Sequence, residues 1–257
     1  MSINLAFLYP DLLNLHGDRG NLSAFQMVAS QLDLDLTITR IDDPQTKLDF
    51  DSYDIILVPP GETVEVGFIA SVLADQKDGF QRYIAGGGIM VVIGTSIAIF
   101  GDQTTRRRTE AFRGIGLVDV NCTELRTACT NDAVLTTDSF GQPMEIVGGQ
   151  VQMLRVNLGS SAGPLGLASY GYGNDGAGAE GLRLNNFIFT NLLGPVFIKN
   201  PWFAEAILRL ACARRGIKIN QDSPDYQLEK QANQAIKRFI AVKIEKHDKS
   251  RLYNGED

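Results

Sequence analysis

The chain has 257 residues, and 24 Lys and Arg stand against 30 Asp and Glu, so its formal net charge is −6. This length suits one α/β domain with at most a modest extension. The excess of acidic residues gives no sign of the basic surface with which proteins bind nucleic acid. No apolar run approaches the roughly 20 residues of a membrane span. A predicted strand at residues 3–9 leaves no place for a signal peptide. Three cysteines without a CxxC pair suit a reducing cytoplasm.

The first hundred residues alternate predicted strands with predicted helices. Apolar runs at residues 22–32 and 64–84 have helical character, and 89–93 (IMVVI) is a fully apolar strand. Such alternation predicts a doubly wound, mostly parallel sheet in an α/β fold. The other strands predicted in this half are 3–9, 34–41 and 53–58.

Ligands of doubly wound sheets bind at the carboxyl ends of the strands. The loops expected there are 10–21, 59–65 and 94–96. Residues 89–101 have the pattern of a nucleophile elbow, in which a strand turns sharply into a helix and presents a reactive side chain at the turn. The residue at this tip is Gly94, which has no side chain.

The second half of the chain has a different texture. Residues 114–190 contain short β-type runs between Gly, Asn and Asp turns, for example 115–120, 133–137, 165–170 and 187–190. Residues 200–215 are predicted to be a helix, because Pro201 suits its first turn and Gly216 suits its end.

The last segment, 220–257, is predicted to be a helical extension to a domain formed by residues 1–219. Ser223 can cap a helix that continues for about six turns, and residues 247–257 are expected to fray. Packing of the apolar stripe on the domain itself and docking against a second chain both remain open. The stripe consists of Leu228, Ala232, Ala235, Phe239 and Val242, widened by Ile236 and Ile240.

Three stretches carry a resemblance to a known family. These are LYPDLLNLHGDRGN (residues 8–21), the long segment from GYGNDG to AEAIL (171–208) and the elbow with its preceding GGG. With them the chain resembles, over roughly residues 3–216, the glutaminase subunits of lipid II isoglutaminyl synthase, within the cobyric-acid-synthase-like class I glutamine amidotransferases.

The resemblance implies a mechanism and a partner. In the family, an elbow cysteine activated by a histidine attacks the glutamine amide, and the released ammonia passes to a Mur-ligase-like partner that amidates lipid II. Here Gly94 takes the cysteine's slot, Leu193 takes the histidine's slot, and the glutamine loop GGGQD is altered to PPGET (59–63). The vestigial pocket is therefore expected to contain Gly61, Glu62, Gly94, Thr95, Ser96, Arg126 and Leu193.

A serine nucleophile and a metal site are the other chemistries to consider. Gly94-Thr95-Ser96-Ile97-Ala98 is nearly a G-x-S-x-G pattern, so Ser96 is a candidate nucleophile, but Thr95 and Ser96 could simply cap the following helix. A base would have to be one of the two histidines, His16 or His247. The dispersed carboxylates show no metal-ligand spacing, so we expect no metal and no cofactor.

The charged loop at residues 16–21 is either a partner contact or a solvated loop in which Asp18 caps a helix. Its candidate contact residues are His16, Asp18, Arg19 and Asn21.

We therefore expect a catalytically inactive, cytoplasmic amidotransferase-like subunit that binds or regulates a Mur-ligase-like partner in lipid II modification. Two alternatives remain open. The chain could handle glutamine or ammonia through unusual residues, or it could be a free-standing binder of a small amide or amino acid.

Overall fold

A computed structural model describes the backbone of residues 2–254 and the side chains of residues 2–245. Within this part of the chain, no helix combines the length and the apolar character needed to cross a membrane. The strands are β1 (Ser2–Leu8), β2 (Asp35–Ile41), β3 (Ile55–Val58), β4 (Ile89–Ile93), β5 (Gln103–Thr105), β6 (Phe112–Arg113), β7 (Val120–Thr137), β8 (Met144–Leu158), β9 (Gly166–Tyr170), β10 (Ala179–Glu180), β11 (Leu182–Leu184) and β12 (Phe187–Thr190). The α-helices are α1 (Gly20–Gln31), α2 (Thr63–Leu73), α3 (Lys77–Ala85), α4 (Ile97–Phe100), α5 (Val196–Lys199), α6 (Pro201–Arg215) and α7 (Gln227–Asn254).

The central layer is a six-stranded sheet with the order β11-β12-β4-β3-β1-β2. Its strands run parallel except for β11, which pairs antiparallel with β12 at one edge. All five side chains of β4 are buried, because this strand lies in the middle of the sheet and helices cover both faces. The predicted doubly wound, mostly parallel sheet is confirmed.

Side-chain alternation along β1 divides the core between the two faces of this sheet. Ile3, Leu5 and Phe7 pack on the side covered by α1 and α6, whereas Ala6 and Leu8 pack on the side covered by α2 and α3. Because the strands are parallel, β1, β3, β4 and β12 all end at the same edge. The loops that follow these four strands therefore meet there.

A second sheet has the order β10-β9-β7-β5-β6, and β8 pairs with β7. β7 and β8 form a long antiparallel hairpin with a register shift between Glu124 and Cys129. The prediction of short β runs was wrong for this hairpin, because the many polar residues of residues 121–132 look like turns in the sequence. Residues 115–119 form no strand. The run at 187–190 is a strand, but it belongs to the first sheet.

Two helices predicted from the sequence differ in how well they match the structure. The helix expected at 64–84 is two helices, α2 and α3, separated by the 3-10 turn Ala74–Gln76. The helix expected at 200–215 is confirmed as α6, with Pro201 in its first turn and Gly216 in the left-handed conformation (φ +64°) after its last residue.

The C-terminal helix exists, but of the predicted stripe only Ile240 is buried against the domain, with Ile236 half-buried beside it. Helix α7 begins at Gln227, and Ser223 donates to Glu205 Oε1 (2.7 Å) instead of capping it. The inward-facing side chains of α7 are Asn233 and Ile240, and Asn233 Nδ2 donates to Asn200 Oδ1 (2.9 Å). Because the polar residue Asn233 lies at the centre of the inward face, the spacing of apolar residues in the sequence does not identify that face. The stripe residues Leu228, Ala232, Ala235, Phe239 and Val242 are exposed.

The fraying expected at 247–257 is wrong as far as Asn254, because α7 continues to that residue. Residues 255–257 and the side chain of His247 lie outside the described part of the chain. The division of the chain at residue 219 remains a prediction.

Candidate functional site

The predicted elbow stands at the edge where the parallel strands end. β4 stops at Ile93, Gly94 adopts the left-handed conformation (φ +58°), and a short 3-10 turn leads into α4. Glycine adopts this conformation without the steric penalty that a Cβ would bring. The chain therefore has the backbone of an elbow but presents no side chain at its tip.

Leu193 packs directly against this tip. A Cβ atom placed on Gly94 would lie 3.3 Å from Leu193 Cδ2 and 3.1 Å from Pro60 Cβ. Leu193 is 4% exposed, and its backbone N–H donates to the carbonyl oxygen of Gly149 on β8 (2.8 Å). The two positions that the resemblance assigns to the cysteine and the histidine thus lie side by side, and both present only hydrogen or hydrocarbon.

The space left at the elbow is a cavity of about 20 Å³. That volume holds one water molecule and leaves no room for a glutamine side chain, since small-molecule sites occupy some 300–1,000 Å³. The cavity is lined by Leu15, His16, Pro60, Gly94, Thr95, Val151, Gln152, Met153, Leu154, Asn191 and Leu193.

The hydroxyl groups beside Gly94 bind the neighbouring loop. Thr95 Oγ1 donates to Gly61 O (2.5 Å) and accepts from Gly61 N (3.1 Å), while Ser96 Oγ donates to Pro59 O (2.6 Å). Neither residue makes the predicted capping bond. Ser96 is fully buried, and its proton is committed to a carbonyl oxygen. It is therefore not placed to act as a nucleophile.

Four residues expected in the vestigial pocket do not line it. Ser96 and Gly61 are buried but are not among the lining residues, and Glu62 is exposed just before α2. Arg126 is exposed in the irregular part of β7, at the register shift between Glu124 and Cys129, and not at the cavity. Gly94, Thr95 and Leu193 are the members of the expected set that the structure brings together at the cavity.

The loop at residues 16–21 splits into exposed and buried side chains. His16 is exposed and reaches the cavity, and Arg19 is exposed and pairs with Asp11 (2.7 Å). Asp18 and Asn21 are 1% and 0% exposed, so they are not surface contacts for a partner. Asn21 Oδ1 instead accepts from Phe197 N (2.9 Å) and joins the loop to α5.

Asp18 is electrostatically unusual. Burial raises the pKa of its carboxyl group from 3.8 to about 7, and the nearby side chain of Asn21 opposes that rise. Within the described part of the chain, neither carboxylate oxygen satisfies the geometry of a hydrogen bond. A buried carboxyl without partners favours its neutral form, since desolvation penalises the charge.

Sequence reasoning missed a buried polar network beneath the cavity. The wholly buried Glu180 accepts from Thr190 Oγ1 (2.8 Å), Asn191 N (2.8 Å) and Asn191 Nδ2 (3.1 Å). Asn191 Nδ2 also donates to Asn174 Oδ1 (2.9 Å). Burial raises the pKa of Glu180, and these donors oppose the shift. The sequence contained one sign of this network, which is the set of polar residues within GYGNDGAGAEG and FTN. Such residues can be buried among glycines when they form hydrogen bonds with one another.

None of the three cysteines is among the residues that line the cavity, although Cys129 pairs across the hairpin with Gln152, which does line it. Cys122 and Cys212 are buried, Cys129 is half-buried on β7, and burial raises the pKa of Cys122 to about 12. Thiols of this kind are poor nucleophiles, because the thiolate is the reactive form. Across the described residues, no three His, Cys, Asp or Glu side chains come together as a metal site would require.

Comparison of the sequence with known proteins identifies two relatives. The glutamine-hydrolysing lipid II isoglutaminyl synthase subunit GatD of Staphylococcus aureus is 28% identical over 227 residues, which is 88% of this chain and 91% of that protein. GatD of Streptococcus pneumoniae is 25% identical over 217 residues, 83% of this chain and 82% of that protein. No protein-family model matches the chain. The resemblance drawn from the sequence motifs is confirmed.

Solved structures share the fold at low sequence identity. PurLQS from Thermotoga maritima superposes with a TM-score of 0.55 at 13% identity, over 83% of this chain and 99% of that chain. The glutaminase domain of Trypanosoma brucei CTPS gives 0.51 at 13%, over 87% and 97%, and a further glutamine amidotransferase gives 0.51 at 12%, over 80% and 98%. The fold is therefore that of the glutamine amidotransferases.

Proposed function

We propose that the chain is a catalytically inactive, glutamine-amidotransferase-like subunit that binds or regulates a Mur-ligase-like partner in lipid II modification. The similarity to GatD subunits over more than four fifths of the chain supports the pathway and the role as one part of a complex.

One observation carries the loss of activity. Leu193 packs on Gly94 at the elbow tip, where glutamine hydrolysis needs a thiolate and a base within hydrogen-bond reach. The residual cavity has room for a water molecule only. The site therefore lacks the nucleophile, the base and the space for the substrate together.

A retained activity through unusual residues has one observation in its favour, which is the imidazole of His16 at the cavity. A base needs a nucleophile that it can deprotonate. The nearest hydroxyl groups, on Thr95 and Ser96, both donate to backbone carbonyls of the 59–61 loop. His16 thus has no activated group to serve, and the inactive subunit is the better account.

The rim of this edge offers a surface for the partner. Val64 and Phe68 lie one turn apart at the start of α2, directly after the 59–62 loop, and are 62% and 50% exposed. The exposed His16 and Arg19 belong to the loop at the same edge. An apolar pair rimmed by polar side chains is typical of a protein interface. We place the Mur-ligase-like partner on this rim, where it would cover the closed elbow.

Co-expression tests the proposal. A Mur-ligase-like chain from the same genome should co-purify with this protein and elute with it in size-exclusion chromatography with light scattering. Phe68→Glu should abolish co-elution, whereas Phe239→Glu, which changes an equally exposed aromatic side chain on α7, should not. Separate elution of the two wild-type chains at micromolar concentration would refute the proposed partnership.

A further inference from the structure

Helix α7 presents an apolar stripe to solvent, here called the outer stripe and formed by Leu228, Ala232, Ala235, Phe239 and Val242. Leu228, Phe239 and Val242 are 74%, 57% and 48% exposed. The members follow one another at intervals of four, three, four and three residues. This is the heptad spacing with which one helix packs along another.

The rest of the helix holds this stripe in place. On the opposite face, Ile240 packs with Val134 and Val147 of the β7–β8 hairpin. Asn233 Nδ2 donates to Lys199 O (3.0 Å), and Lys237 Nζ pairs with Glu145 Oε1 (2.6 Å). Most of the stability of a helix in a protein comes from its tertiary packing rather than from helix propensity. Here the domain itself fixes the helix, so a partner loses little ordering entropy when it binds the stripe.

We propose that the outer stripe binds a second copy of this chain, with the two α7 helices antiparallel about a two-fold axis. In that register Phe239 of one copy faces Ala235 of the other, and Val242 faces Ala232. These two kinds of layer each match a large side chain with a small one, which is how facing helices interdigitate, whereas Leu228 lies beyond them at the end of the contact. This inference does not rest on the proposed function.

The flanking charges select the antiparallel arrangement. In the antiparallel pair, Glu229 of each copy lies beside Lys243 of the other, which gives two pairs of opposite charge. Arg238 lies beside Arg238 of the other copy near the axis, which gives one pair of like charge. A parallel pair would instead place Arg238 beside Lys243 twice and stack Phe239 on Phe239. Charges at these flanking positions set the orientation of paired helices. In the single chain Lys243 bonds Asp132 (3.2 Å) and lies over the ring of Phe239 (4.6 Å to its centroid), but its side chain is 43% exposed, so exchanging these contacts for Glu229 costs little.

The composition of the stripe favours a second copy over a lipid surface. Helices that lie on membranes carry a broad apolar face with Trp, Phe or Leu and a basic polar face. Two of the five stripe residues are alanine, so the apolar face is narrow, and the polar residues around it mix acidic Glu229 and Glu245 with Lys230, Lys237, Arg238 and Lys243. Two helices in contact over this length bury roughly 1,000 Å², at the lower end for specific interfaces, so the dimer should be reversible and concentration-dependent.

Sedimentation equilibrium of the purified full chain, from about 1 to 200 µM, is the first measurement. We expect a monomer–dimer equilibrium that Phe239→Glu weakens at least about tenfold, because a charge would enter the apolar layer. Val64→Glu is the control. It places the same charge at an exposed apolar residue of α2, outside the outer stripe, and should leave the monomer–dimer equilibrium unchanged. A wild-type chain that stays monomeric over this range overturns the inference.

Charge exchange tests the register. Glu229→Lys alone should weaken the dimer, and adding Lys243→Glu should restore it, because the two residues face each other across the axis. The double variant exchanges the charges and keeps their sum. Loss of dimer in both variants would overturn the antiparallel register.

Disulfide trapping gives an independent readout in a Cys129→Ser background, where the remaining cysteines, Cys122 and Cys212, are buried. A mixture of Ala235→Cys chains with Phe239→Cys chains should cross-link between the two variants. Efficient cross-linking of either variant with itself would indicate the parallel pair and overturn the inference. Two other results would also overturn the inference. In both, the wild-type chain does not dimerise, and it uses the outer stripe instead to float with lipid vesicles or to bind the ligase-like chain.

Discussion

Leu193 Cδ2 lies 3.3 Å from the position that a Cβ on Gly94 would take. Two residues 99 positions apart in sequence thus meet at the elbow, and they meet where the resemblance places a cysteine and a histidine. Leucine in contact with glycine fills the volume that a nucleophile and its base would share. Under the proposed function, this contact explains how the fold can persist without the chemistry, since the apolar pair is stable without substrate or activated groups.

The conformation of Gly94 makes the elbow intolerant of a side chain. Gly94→Ala should lower the free energy of unfolding by about 1–3 kcal/mol, because the residue has φ +58° and the new methyl group would press on Pro60 and Leu193. Thermal or urea unfolding measures the change. Gly163→Ala is the control, since its added Cβ meets open space and its φ is not in the left-handed region. Equal effects of the two substitutions would contradict the strained elbow.

Asp18 should make the protein less stable as the pH rises from 4 to 7. Its pKa is 3.8 in the usual state and about 7 in the fold, so the folded chain binds a proton that the unfolded chain has already released. This contribution is fully present below pH 4 and is lost as the pH passes 7, by as much as about 4 kcal/mol. Urea unfolding across this pH range measures it.

Asp18→Asn is the matched variant, because the amide keeps the shape and cannot ionise. Its unfolding free energy should vary less with pH, and the variant should be more stable than the wild type at pH 8. The same pH dependence in both proteins would show that Asp18 is not the group responsible.

The two faces of α7 should respond differently to truncation. Ile240 is 5% exposed and packs on the β7–β8 hairpin, so Ile240→Ala should cost about 2–4 kcal/mol. Phe239, its sequence neighbour, is 57% exposed, and Phe239→Ala should change the stability of the dilute chain by no more than about 0.5 kcal/mol. Melting temperatures of the two variants at low concentration give the comparison. The reverse order would mean that the helix packs through its outer stripe.

Glu180 should be needed as a carboxylate acceptor. Glu180→Gln turns one acceptor oxygen into an amide N–H₂ that faces the donors of Thr190 and Asn191, so we expect a loss of about 1–3 kcal/mol. Glu145→Gln, at an exposed residue that pairs with Lys237, should change stability by less than about 1 kcal/mol. Chemical denaturation of both variants decides, and equal losses would count against the network.

Much of the first sheet could be predicted from the sequence, because its strands are continuous apolar runs between turn signals. The run at residues 89–93 became the central strand, and the motif at 8–21 gave the family resemblance. The hairpin β7–β8 could not be predicted in the same way. One of its faces is exposed and polar, so polar side chains alternate with apolar ones and interrupt the apolar runs that mark a buried strand in the sequence.

The candidate site was predictable in its identity but not in its packing. The family motifs predict the importance of Gly94 and Leu193. Their contact could not be predicted, because it depends on the hydrogen bond by which Gly149 of β8 fixes the backbone of Leu193. Asp18 illustrates the opposite failure. A charged residue in a Gly-rich loop looks solvated, and only the fold buries it to 1% exposure. Burial of polar residues depends on tertiary context that local pattern does not contain.

The most direct measurement of the central claim is glutamate release from glutamine, assayed for the purified chain and for its complex with the ligase-like partner. The GatD subunit of Staphylococcus aureus, whose name describes it as glutamine-hydrolysing, serves as the positive control with its own partner. The account predicts release no faster than in buffer, because no nucleophile stands at the elbow and losing both members of a cooperating pair leaves little activity. Turnover above buffer that persists in Ser96→Ala and in the triple variant Cys122→Ala, Cys129→Ala, Cys212→Ala would contradict it.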